Sequence, residues 1–349
     1  MLLHGCRRHR VPGRNHGYGR DHCDHCHSLH EFKEGLTKLA ADISVIIPAH
    51  NERSRIAPTI RNIARARTTD ARVEFVVVDD ASDDGSTEDL ISAAPELLEE
   101  PRIDIQLEGL EEHTGIFGAL NRGVEVATSD VLFFSDAHVE FSTGWDEAVL
   151  RQIEPDLILA GTTVESSTGN RGYGCHLLVP FMSTGWNLNP YEKPGPVQIA
   201  TCSATALTRE LFRRLGGYDT GMQIYGAGEP EFSVRAWLEG SEIRLLPELE
   251  VTHEFKSGDE LNSFLQSIAP QWVHNSLRFG LLYLSEFGCL QLLRFYSRAY
   301  PEAFPEALQL IDHSDVWERR ELLEERRARP FSWFVEQFGV RDQIGGEIM

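Results

Sequence analysis

Asp136 and His138 stand one residue apart, just beyond the apolar run Val131-Leu132-Phe133-Phe134. In extended backbone, residues two apart share a face, so both side chains could reach one ion. An isolated Asp-x-His pair is also ordinary turn chemistry, so its meaning depends on its surroundings. Two further polar clusters follow apolar runs in the same way. His50-Asn51-Glu52 comes soon after Ile43-Ser44-Val45-Ile46-Ile47-Pro48, and Asp79-Asp80 ends Glu74-Phe75-Val76-Val77-Val78. Hard divalent cations take oxygen ligands, and manganese also accepts imidazole. Carboxylates beside such a cation suit a nucleotide-sugar donor, whose base and ribose offer hydrogen-bond donors and whose diphosphate leaves as an anion.

The elements around these clusters would bring them together. The first two runs read as strands buried on both faces of a parallel sheet, where continuous rather than alternating apolar residues are expected. Ile56, Ile60 and Ile63 at helical spacing predict a helix from Pro58 to about Arg67. Ser82-Asp83-Asp84-Gly85-Ser86 is a turn, Thr87–Leu98 a helix, Ile103–Leu107 a third strand, Gly115–Ala127 a helix and Val131–Phe134 a fourth strand. Strand and helix in alternation imply right-handed crossovers and a mostly parallel central sheet flanked by helices. Ligands of such sheets bind beyond the carboxyl ends of the strands, where all three clusters fall. Asp79 and Asp80 could equally cap the turn, and Asn51 and Glu52 could be turn residues.

The motifs carry a resemblance. Ser44–Glu52 followed by Val76–Ser86 resembles the opening of family-2 glycosyltransferases of the GT-A (nucleotide-diphospho-sugar transferase) fold. Phe134–Glu140 with Gly144-Trp145 is similar, more narrowly, to the polypeptide N-acetylgalactosaminyltransferases, which carry Asp-x-His where most relatives carry Asp-x-Asp. Gly217–Gly226, Glu231–Trp237, Leu246-Pro247 and Val251-Thr252-His253-Glu254-Phe255 continue the pattern, and it ends near Asn275–Phe279. The resemblance implies that Asp136, His138 and His253 hold Mn²⁺, with Mg²⁺ as the second choice, and that the ion holds the diphosphate of a UDP-sugar. It implies that His50 and Asp80 contact the base, that Pro48 and Ala49 line its pocket, and that Glu52 belongs to the donor side. It makes a peptide or protein acceptor plausible, with sugar-chain and small-molecule acceptors open.

One departure bears on mechanism. Where those relatives read Trp-Gly-Gly-Glu-Asn, this chain has Tyr225-Gly226-Ala227-Gly228-Glu229-Pro230-Glu231. Aligned without a gap, Glu229 falls where the retaining peptide enzymes have Asn and inverting family-2 enzymes a base. Glu229 is therefore a candidate general base and Glu231 the structural carboxylate beside it in the candidate catalytic set. Pro and acidic residues also suit a helix N-terminus, so both could be capping residues. Retention and inversion stay open.

Composition sets the boundaries. A net charge of −21 over 349 residues argues against a general nucleic-acid binder and against an anionic membrane partner. No apolar run is long enough to span a bilayer, and the N-terminus lacks the core of a secretory signal. The six scattered cysteines do not read as a disulfide framework, so a reduced, cytoplasmic enzyme is expected. Residues 1–41 read as a His/Arg-rich, poorly ordered segment, 42–256 as the catalytic domain and 257–349 as a helical C-terminal extension packing on it. No counterpart of a membrane anchor or lectin module is read. In that extension Leu277, Leu281, Leu282 and Phe287 should face inward, Lys256–Asp259 should form a hinge, and Trp272 and His274 should pack, or else line the acceptor side. Cys23-x-x-Cys26 with His27 and His30 has ligands that suit zinc, or is a metal-scavenging tail. The competing classes are a degenerate sugar-nucleotide-binding scaffold and a sugar nucleotidyltransferase. The latter would want a Gly-rich basic loop where Pro48–Glu52 stands.

Overall fold

The computed structural model describes residues 40–343. Its strands are β1 (Ile43–Ala49), β2 (Val73–Asp79), β3 (Ile103–Gly109), β4 (Val131–Phe134), β5 (Val139–Phe141) and β6 (Leu157–Glu165). There follow β7 (Arg171–Tyr173), β8 (Cys175–Leu178), β9 (Ser183–Trp186), β10 (Gly195–Pro196), β11 (Thr205–Thr208) and β12 (Glu242–His253). The helices that alternate with them are α1 (Ile56–Arg65), α2 (Ser86–Leu97), α3 (Ile116–Val126), α4 (Trp145–Gln152), α5 (Arg209–Leu215) and α6 (Gly228–Leu238). After β12 the chain is helical: α7 (Gly258–Ser267), α8 (Ala269–Tyr283), α9 (Glu286–Ala299), α10 (Phe304–Asp312), α11 (Val316–Arg326) and α12 (Phe331–Phe338).

The main sheet runs β10-β12-β6-β11-β4-β1-β2-β3, with β5 on β12 and β7 on β6. β3, β2, β1 and β4 form a parallel block. β11 is antiparallel to both β4 and β6, and it joins that block to the parallel pair β6–β12. β8 and β9 pair as a separate antiparallel ribbon.

Side chains of β1 alternate between two cores. Ile43, Val45 and Ile47 pack with Ile56, Ile60 and Ile63 of α1, while Ile46 packs with Phe117, Leu120 and Val124 of α3. Each such aliphatic group is fully removed from water, worth about 1.5–3 kcal/mol. Two buried faces explain why the strands read as unbroken apolar runs.

The expected helices form within two residues of the predicted bounds. α1 starts at Ile56 rather than Pro58 because a 3₁₀ turn at Arg53–Arg55 leads into it, leaving the proline in the first turn where no N–H is needed. In the C-terminal helices Leu277 and Leu282 are buried and Leu281 half-buried, as expected. Phe287 is instead 49% exposed. The helical phase does not carry through: α8 ends at Tyr283, and Ser285 caps a new helix by accepting from the Gly288 N–H. Trp272 packs on Tyr300 and Tyr296, and His274 is fully buried beside Asn275. The Cys23, Cys26, His27 and His30 cluster lies outside the described residues.

Candidate functional site

The carboxyl ends of β1, β2, β4 and β12 deliver His50, Asp80, Asp136 and His253 to one side of the sheet. Because β11 runs antiparallel, the turn that precedes it, Thr201–Ser203, arrives at the same side, as does the N-terminus of α6 with Glu229. A cavity of about 360 Å³ opens among these residues.

Asp136, His138 and His253 each present a ligand atom, all within 4.8 Å of one another. Asp136 Oδ2 lies 2.9 Å from His253 Nε2. That spacing serves a hydrogen bond, and it is also roughly the 3 Å edge between neighbouring ligands of an octahedral ion with bonds of about 2.1 Å. The other nitrogen of His253, Nδ1, is buried with no hydrogen-bond partner. Burial alone would raise the Asp136 pKa, but the hydrogen bond and charge of His253 and the charge of His138 hold it below the usual carboxylate range. Burial likewise opposes a charge on His138, but Glu52 and Asp136 outweigh it and raise its pKa. The donor set therefore fits a divalent cation that accepts both carboxylate and imidazole.

Glu52 meets His138 rather than standing on the nucleotide side. Its Oε2 accepts from His138 Nδ1 at 3.0 Å. A carboxylate on one ring nitrogen fixes the tautomer and leaves Nε2 free for an ion. Asn51 is a turn residue, with φ of 56° and hydrogen bonds to Ser82 and Asp83.

Asp80 lines the cavity together with His50, and its carboxylate is also held by the loop after β3. Its Oδ1 accepts from the Thr114 N–H at 2.7 Å and the Thr114 hydroxyl at 3.0 Å, and its Oδ2 from the Gly115 N–H at 2.7 Å and His113 Nδ1 at 2.8 Å. A carboxylate has about four lone-pair positions, and the loop after β3 supplies donors to them. Asp79 caps the turn through the Ser82 N–H. His50 lines the cavity as expected, and so do Pro48 and Ala49. Its Nδ1 donates to the Asp80 carbonyl at 2.7 Å, and its ring stacks on His113 with centroids 3.8 Å apart.

Glu229 and Glu231 separate sharply. Glu229 lines the cavity, and its carboxylate accepts from the Cys202 N–H at 2.6 Å. Burial, with the charge of Asp136 added, pushes its pKa up to about 7. Glu231 is fully buried away from the cavity, where it accepts from Arg235 Nε and Nη2 at 2.8 and 2.7 Å and from the Tyr283 hydroxyl at 2.9 Å. Glu231, grouped with Glu229 as a candidate, is held as a structural carboxylate: two residues along a helix is about 200° of rotation, which turns one carboxylate out and the other in.

The loop before α6 is held tightly. Ile224, Gly226 and Ala227 have positive φ, and the Asn275 side chain bonds the Gln223, Tyr225 and Gly226 carbonyls. Gly115, at φ of 83°, lets the loop approach: a Cβ there would lie 2.3 Å from Ile224 Cα. Sequence reasoning missed His113, the Thr201–Ser203 turn and Trp186, all on the cavity. Nothing in the spacing of His113 marks it. Lys256, read as a hinge residue, also lines the cavity.

Comparison with known proteins agrees with this geometry. The model of a family described as glycosyl transferase family 2 matches residues 44–216. Polypeptide N-acetylgalactosaminyltransferase 11 of Xenopus tropicalis is 27% identical over 324 residues, 87% of this chain and 51% of that protein. Polypeptide N-acetylgalactosaminyltransferase 8 of Drosophila melanogaster is 27% identical over 336 residues, covering 90% and 54%. The chain spans about half the length of the curated relatives it matches. Among solved structures, GalNAc-T7 with UDP, GalNAc and Mn²⁺ superposes with a TM-score of 0.65 at 21% identity, over 86% of this chain and 57% of that one. That likeness is one of fold. The match to glycosyl transferase family 2 covers residues 44–216, from β1 through α5, and takes in Asp136 and His138, and the fold is GT-A.

Proposed function

We propose that this chain is a metal-dependent glycosyltransferase that moves a sugar from a UDP-sugar to an acceptor hydroxyl or thiol, with a peptide or protein as acceptor. The observation that carries the reading is the meeting of Asp136, His138 and His253 on the same cavity as Glu229. Residues 42–256 would form the catalytic unit, with the helices after it packed alongside. In this reading Asp136, His138 and His253 hold Mn²⁺, which when bound neutralises the charge of the departing diphosphate. Imidazole ligands favour manganese over magnesium, which the carboxylate alone would also accept.

The chain's own residues supply the rest. Lys256 lines the cavity three residues beyond His253 and adds a fixed positive charge on the leaving-group side. Glu229 takes the acceptor proton, and a pKa near 7 suits a base at neutral pH. The Cys202 N–H fixes the Glu229 carboxylate that would do so. Direct deprotonation by Glu229 goes with inversion at the anomeric carbon. Cys175, Cys202 and Cys289 are free thiols, as a reducing, cytoplasmic setting would leave them. Among the described residues no helix is long and apolar enough to cross a membrane.

The test is Mn²⁺-dependent hydrolysis of a panel of UDP-sugars by the wild type and Glu229→Gln, with UDP binding measured alongside. The reading expects turnover of at least one sugar, and loss of turnover with intact UDP binding in the variant. UDP binding without any turnover would instead favour a sugar-nucleotide-binding scaffold. Neither binding nor turnover would refute the reading.

A further inference from the structure

Asn275 of α8 spends its whole side chain on one loop, the one that leads into α6 and Glu229. Its Oδ1 accepts from the Gln223 N–H at 2.8 Å, and its Nδ2 donates to the carbonyls of Gln223, Tyr225 and Gly226 at 2.7, 3.0 and 3.1 Å. We propose that Asn275 is a positioning residue for the transfer step, holding this loop in the shape that sets Glu229 against the reacting centre. The inference rests on the reading of Glu229 as the base given above.

The loop has a conformation that its own residues resist. Ile224, Gly226 and Ala227 have φ of 54°, 96° and 58°. L residues avoid that region, β-branched ones above all, so the surroundings must impose it. Asn275 is fully buried against the loop, and its orientation is fixed: flipping the amide would set an oxygen against three carbonyls. Trp272, one turn earlier on the same helix, closes on Gly226, where a Cβ would lie 2.5 Å from the indole. The end of the loop in turn sets the start of α6. Ala227 is the N-cap, and its carbonyl takes the Glu231 N–H at 2.9 Å, so the loop fixes the helical phase. Glu229 lies in the first turn and shares the cavity with Ile224 and Tyr225. A turn of that helix end would carry the carboxylate off the Cys202 N–H and off the acceptor. A displacement of about 1 Å at a reacting group can cost about 10²-fold in rate. Asp136, His138 and His253 stand on other elements, at the ends of β4 and β12, so loss of Asn275 strikes the chemical step rather than nucleotide binding.

The test is UDP release from the preferred UDP-sugar with Mn²⁺, beside calorimetric binding of UDP with Mn²⁺, in the wild type, Asn275→Asp and Glu229→Gln. Asp keeps the size and the Oδ1 acceptor but has no amide to donate. N275D should lose about 30–100-fold in kcat while its UDP affinity stays within about threefold of the wild type. A residue that only supports the fold would lower UDP affinity and the unfolding midpoint in EDTA together with kcat, and that pattern overturns the assignment. If N275D does not fold, Asn275→Ala, which removes the amide and sets no charge against the carbonyls, is read by the same criteria. Failure of both to fold marks a structural residue and overturns the assignment too. So does a kcat within about threefold of the wild type in the folded variant, or full turnover in E229Q, and each of these leaves the donor reading intact. Failure of the wild type to bind UDP or to turn over any UDP-sugar overturns the donor reading and this inference with it.

Discussion

Replacing Glu229 with Gln should make the protein more stable at alkaline pH, even as it removes the proposed base. A carboxyl whose pKa rises from 4.5 to about 7 on folding is penalised whenever it is ionised. Below pH 4.5 the group is protonated in both folded and unfolded chains, so no penalty exists. As pH climbs through 7 the folded carboxyl ionises against burial and the Asp136 charge, and the penalty reaches its full size. The difference between 4.5 and about 7, at 1.36 kcal/mol per pKa unit, sets an upper bound of about 3–4 kcal/mol. Glu229 is half-buried, and screening by solvent brings the expected gain to about 1–2 kcal/mol. Gln keeps an oxygen for the Cys202 N–H, so the substitution removes the charge without removing the hydrogen bond. Urea unfolding of wild type and variant in EDTA, at pH 5 and pH 8.5, reads the effect. The variant should be near-neutral at pH 5 and more stable at pH 8.5. A difference independent of pH, or a variant less stable at pH 8.5, would refute the placement of Glu229 in an environment that resists its charge.

Other perturbations test separate parts of the structure. The pH profile of kcat/KM should show an acidic limb near pH 7 as Glu229 loses its proton, so activity rises with pH. A profile flat from pH 5.5 to 8 would remove the base assignment. Glu52→Ala should weaken Mn²⁺ binding by about 10–100-fold, measured by calorimetry, because His138 loses the group that orients its ring. Gly115→Ala should destabilise the fold by about 2–4 kcal/mol in urea unfolding, since its Cβ would overlap Ile224 Cα on a backbone of positive φ.

Much of the sheet was legible because burial on both faces leaves a plain signature. β1, β2 and β4 are short, apolar and bounded by polar clusters, and the spacing of Ile56, Ile60 and Ile63 marked the first helix. The far half of the sheet was not read. β11 has four residues, too few for a period to show, and β12 is broken by a bulge between Leu246 and Glu250 around Pro247. The metal trio was readable because its members sit in an ordered series of motifs. What each carboxylate does was not, since function there depends on which donors arrive from elsewhere in the chain. Asp80 is also held by a loop some 34 residues on, and Glu52 is claimed by a histidine 86 residues away. Glu231 is claimed by Arg235 one turn along its own helix. His113 stands in no motif at all, and only the fold brings it onto His50.

The proposed function stands on Asp136, His138 and His253 holding one catalytic cation. Release of UDP from the preferred UDP-sugar, measured against Mn²⁺ concentration in wild type, Asp136→Asn and His253→Ala, tests it most directly. Saturable Mn²⁺ dependence is expected in the wild type, with abolition by EDTA and a loss of about 100-fold or more in each variant that excess Mn²⁺ does not fully restore. UDP release that persists in EDTA, or that survives both substitutions, would contradict it.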